Sequence, residues 1–83
     1  MKERTVAPWT YKTAIDARGL QCPLPVLKAR KALLAMGEGE RLLVETTDPM
    51  AAIDFPHYCD ESGNRLIASD TDDSILRFLI ERA

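Results

Sequence analysis

The amino-acid sequence predicts one small α+β domain with the element order βαβαββ. Three observations carry that reading: alternation of side-chain character over 11–17, helical spacing of apolar residues after Cys22-Pro23-Leu24-Pro25, and breakers that cut the remainder into short segments. At 83 residues the chain builds a single core with no room for a second domain, so any site has to be shallow. Residues 11–83 are assigned to that domain. Residues 1–10, polar and interrupted by Pro8, are assigned to a flexible N-terminal arm from which Trp9 is free to fold back.

The first strand places Tyr11, Thr13, Ile15 and Ala17 on one face and Lys12, Ala14, Asp16 and Arg18 on the other, and Gly19 ends it. Val26, Ala29, Leu33 and Met36 then recur at helical spacing with Leu27 and Leu34 in a flanking row, until Gly37 and Gly39 terminate the helix. In the second strand, over 41–47, Leu42, Val44 and Thr46 point one way. Asp48 supplies a helix cap and Pro49 a first-turn residue, which starts a second helix at Met50. Pro56 lacks an N–H and disfavours a helical Phe55, so this helix is expected to be short, kinked or split, resuming around 57–61. Ser62-Gly63-Asn64 forms a turn and 65–70 the third strand. The last segment fits either period, with Leu76, Phe78 and Ile80 alternating but Ile75, Leu76, Leu79 and Ile80 able to line a helix. A strand is preferred, because a hairpin partner covers an edge that a three-stranded sheet would leave open.

Composition narrows the function. Hydrophobic residues at 46% and charged residues at 29% describe a globular chain, and a net charge of -2 gives no general pull toward nucleic acid or anionic lipid. No stretch approaches the roughly 18 apolar residues of a membrane span, and the N-terminus carries no apolar run resembling a signal peptide, so a cytoplasmic location is expected. Two cysteines and one histidine make neither a disulfide framework nor a zinc cluster, and no Gly-rich phosphate loop is present. No cofactor and no metal is expected.

Chemistry therefore falls to the cysteines. Pro23 and Pro25 fix the backbone around Leu24, and Pro23 pushes Cys22 out of the helical region, so Cys22 is expected at the N-cap with its sulfur near free amides. Such surroundings lower a thiol from about 8.5 into a range of roughly 3.5 to 7.5, and a downward shift is expected here. Lys28, Arg30 and Lys31 add less, since Lys28 alone lies roughly 9 Å along the helix axis. The competing reading makes the two prolines a helix-start device only. With no second cysteine beside Cys22, a thioredoxin-type switch is absent and its chemistry has to involve another molecule.

The run Asp16-Ala17-Arg18-Gly19-Leu20-Gln21-Cys22-Pro23-Leu24-Pro25-Val26, followed by Arg30-Lys31, resembles the TusA-type (SirA-like) sulfur carrier family. The similarity continues through Thr47-Asp48-Pro49, Asp54-Phe55-Pro56 and Tyr58-Cys59, spanning about residues 13–82. It implies a two-layer sandwich, with a four-stranded mixed sheet carrying two helices on one face and 75–82 as a strand. It further implies that Cys22 accepts sulfane sulfur as a persulfide from a cysteine desulfurase or other persulfide donor and passes it to a downstream acceptor protein. Related carriers serve tRNA thiolation, molybdenum cofactor maturation and sulfur oxidation.

Around Cys22, Asp16 and Gly19 are expected to shape the presenting loop together with Pro23 and Pro25, while Lys28, Arg30 and Lys31 offer a partner-binding face. That face is equally read as an ordinary solvated helix surface. Cys59 is expected in the core and His57 in an exposed loop. A monomer forming transient complexes is expected. The alternative function is a regulatory or protein-interaction module; thiol-dependent reductase chemistry is disfavoured by the missing resolving cysteine.

Overall fold

A computed structural model of the protein describes residues 9–83; the N-terminal arm expected over 1–10 falls outside the described residues except for Trp9, which is half-buried, and Thr10. The elements are β1 (Thr13–Ala17), α1 (Leu24–Leu34), β2 (Arg41–Thr46), α2 (Ala51–Ser62), β3 (Arg65–Asp72) and β4 (Ile75–Glu81), in the expected order. They form a mixed four-stranded sheet, β1-β2-β4-β3, in which only β1 and β2 run parallel.

Alternation along the strands decides which face receives the helices. Leu42 lies opposite Ile80 and Val44 opposite Phe78, and all four join Ala29 and Leu33 of α1 and Ala51, Phe55 and Cys59 of α2 in one buried cluster. Both helices therefore cover the same side of the sheet, giving the two-layer α+β sandwich. At its centre the Phe55 ring stacks on Phe78, with centroids 4.7 Å apart and planes inclined by 22°. The C-terminal segment is a strand, joined to β3 by a tight hairpin. Asp72 pairs with Ile75, and Asp73 takes a φ of 63°, a conformation that Asp tolerates better than most residues.

Both helices differ from expectation. α2 runs unbroken through Pro56. The proline removes a single bond, to the carbonyl of Ala52, and both residues lie on the exposed side, while Ala51, Phe55 and Cys59 hold the opposite face in the core. α1 stops at Leu34, short of Gly37. There Met36 N–H bonds the Leu33 carbonyl at 3.0 Å, and Arg82 Nε reaches that same carbonyl at 2.8 Å, so a basic side chain from beyond β4 gives a helix-end acceptor its second donor.

Candidate functional site

The parallel pairing of β1 with β2 positions the site. Ala17 lies opposite Thr46, so both strands finish at one edge, and each is followed by a short loop and the start of a helix. The carboxyl ends of parallel strands are where open sheets expose loops to ligands. Two bonds tie the loops together. Gly19, with φ of 82°, turns the chain in the left-handed region and donates its N–H to Thr47 Oγ1 at 2.9 Å. Cys22 donates its backbone N–H to Asp48 Oδ2 at 2.6 Å, and the other oxygen of that carboxylate accepts from Met50 N–H at 3.1 Å. Asp48 was expected to cap α2 with Pro49 in the first turn; instead Met50 is the N-cap, Pro49 precedes the helix, and Asp48 braces the Met50 amide while clamping the loop carrying Cys22. Replacing Asp48 by Ala is expected to cost about 1–2 kcal/mol of stability, read from the urea midpoint.

Cys22 is exposed. It lies one residue before the helix cap, not on it: Pro23 is the N-cap, Leu24 and buried Pro25 fill the first two helical positions, and the Cys22–Pro23 peptide bond is cis. Most of the amides that a thiolate was expected to find there are missing or already bonded. Pro23 and Pro25 have none, Cys22 N–H is held by Asp48, and Leu24 N–H bonds the Gln21 carbonyl at 2.8 Å. Carboxylates approach instead. The nearby carboxylates of Asp54 and Asp48, with partial desolvation, push the Cys22 thiol above its ordinary value, opposite to the expected lowering.

The neighbouring residues are accounted for as follows. Asp16, at the end of β1, takes a forked bond from Arg18, Nε at 2.8 Å and Nη2 at 3.0 Å, which holds its carboxyl down to about 2. Lys28 Nζ caps the Asp16 carbonyl at 2.7 Å, so its ammonium braces the presenting loop. Arg30 and Lys31 are exposed on α1, with Arg30 beside a cleft formed with Tyr58, Asn64 and Arg82. Cys59 is 5% exposed in the core, where burial pushes its thiol up to about 11. His57 is exposed on α2, with Nε2 3.4 Å from Glu61 one turn on. Thr47, quoted in the sequence only within the resemblance and given no role, meets the loop before Cys22 through its bond to Gly19.

Comparison with known proteins bears on the family and the fold. The family model described as Sulfurtransferase TusA matches residues 13–82. The sulfur carrier protein TusA of Allochromatium vinosum is 42% identical over 73 residues, 88% of this chain and 96% of that protein. The crystal structure of a SirA-like protein from Desulfitobacterium hafniense aligns with a TM-score of 0.76 at 26% identity, over 84% of this chain and 96% of that one.

Proposed function

This chain belongs to the TusA family of sulfurtransferases, and on that premise we propose that it carries sulfane sulfur as a persulfide on Cys22 between partner proteins. The observation that carries the proposal is the contrast between its two cysteines: Cys22 is exposed at the edge where both helices begin, and Cys59 is enclosed in the core. A carrier's sulfur has to enter the active site of another protein, and only Cys22 protrudes. Around it the exposed apolar side chains of Leu24, Met50 and Ile53 supply a contact surface without charge.

In loading, the Cys22 sulfur attacks the outer sulfur of a donor persulfide. A new S–S bond forms at Cys22, the donor's S–S bond breaks, and the donor thiolate leaves with the proton that Cys22 gives up; no net oxidant is consumed. Unloading repeats the exchange with an acceptor thiol. Asp16 and Gly19, through their bonds to Arg18, Lys28 and Thr47, set the loop, and Pro23 and Pro25 fix the turn into α1. Lys28, Arg30 and Lys31 form the partner-facing side of α1. The donor is a cysteine desulfurase or another persulfide protein. The acceptor belongs to tRNA thiolation, molybdenum cofactor maturation or sulfur oxidation, and the exchange takes place in the cytoplasm. No helix among the described residues is long and apolar enough to cross a membrane.

The relay is tested by chase. Protein loaded by a desulfurase and cysteine, then freed of both, is expected to release its sulfur to cyanide as thiocyanate and return to its starting mass. The Cys59→Ser variant is expected to do the same. Loaded protein that yields no thiocyanate is not a persulfide and contradicts the proposal.

A further inference from the structure

At the end of the helix layer away from Cys22, the last turns of α1 and α2 meet the chain that follows β4 around a cleft of about 280 Å³. We propose that this cleft binds a tetrahedral oxyanion of the phosphate or sulfate class, held between the guanidinium groups of Arg30 and Arg82 and oriented by the Tyr58 hydroxyl. The site is separate from the sulfur chemistry, since Arg30 lies roughly 9 Å along α1 from Leu24, the first helical residue after the Cys22 loop.

Bonds within the chain frame the cleft and leave its donors unspent. Asn64 fixes the first of them. Its Oδ1 accepts the Ala83 N–H at 2.9 Å, so Nδ2 has to be the atom that faces Tyr58 Oη at 3.3 Å and donates to it. The half-buried phenol already accepts a bond and keeps its own proton for a ligand. Arg82 is held by two bonds, Nε to the Leu33 carbonyl at 2.8 Å and Nη1 to the Ala83 carbonyl at 3.0 Å, while its Nη2 bonds nothing among the described residues. The exposed Arg30 side chain has no hydrogen bond or ion pair among those residues either.

The charge balance favours an anion. No acidic side chain lines the cleft. Helix ends oppose a negative ligand through their free carbonyls, but here the Leu33 carbonyl takes Met36 N–H as well as Arg82, and the Cys59 carbonyl takes Gly63 N–H at 3.0 Å and the Ser62 hydroxyl at 3.4 Å. Guanidinium groups meet oxyanions through paired N–H donors, and the phenol adds a neutral donor. The volume falls just below the roughly 300–1,000 Å³ of pockets for drug-sized molecules, which suits a single ion or one phosphate or sulfate group of a larger molecule.

The test is titration with sodium sulfate and with inorganic phosphate at constant ionic strength, chloride making up the balance, followed by amide NMR. Saturable shifts are expected at the Asn64 side-chain amide and at the Arg82 backbone amide. Arg30→Gln should weaken binding about tenfold and Tyr58→Phe about threefold, while Arg65→Gln, which removes an arginine engaged by Glu81, leaves it unchanged. Phenyl phosphate run beside inorganic phosphate separates an ester from a free ion: saturation by either supports the cleft, and the tighter of the two names the source. Shifts that chloride alone reproduces, shifts that map away from Asn64 and Arg82, saturation by none of the three probes, or an affinity unchanged in Arg30→Gln overturns the site. The titration reads binding without sulfur transfer, so its outcome is independent of the carrier reading.

Discussion

Cys22→Ser is expected to abolish sulfur loading completely while leaving the fold in place. Serine oxygen forms no stable analogue of the persulfide, so the loss is all-or-none and not a matter of rate. The scaffold should not notice the change: Cys22 is exposed, its structural bond is the backbone N–H to Asp48, and serine retains that N–H. Stability within about 0.5 kcal/mol of wild type, measured by urea unfolding, is the expected companion result. A Cys22→Ser protein that unfolded as readily as a core variant would mean that the side chain packs, contrary to its placement at the open edge.

Phe55→Ala carries the largest expected effect on stability, a loss of about 3–5 kcal/mol. Phe55 is fully buried, stacks on Phe78 and sits where α2 meets the centre of the sheet. A chain of this size has a total stability on the order of 5–15 kcal/mol, so the variant should be partly unfolded near room temperature or lose much of its urea midpoint. A drop of less than about 1 kcal/mol would contradict the packing described.

The order of elements was legible because each rests on local chemistry: alternation in Leu42, Val44 and Thr46, helical spacing through Ala29 and Leu33, turn residues at Ser62-Gly63-Asn64. Pro56 was over-weighted. A proline's local cost says nothing of the core contacts made by Ala51, Phe55 and Cys59, and these keep α2 whole. Cys22 was legible from its prolines as a residue presented at a helix start, but its electrostatics were not. Asp48 joins it across 26 positions of sequence, delivered by the parallel pairing of β1 and β2. The same prolines that mark the site also strip it of amide donors, so the helix start offers an anion less than its dipole alone promises.

Intact-mass and peptide-mass measurement after incubation with a cysteine desulfurase and cysteine tests the central claim most directly. The protein should gain one sulfur atom on the peptide containing Cys22, the Cys59→Ser variant should gain the same, and Cys22→Ser none. Wild type that stays unmodified with several competent donors, or that takes up sulfur on Cys59, would contradict it.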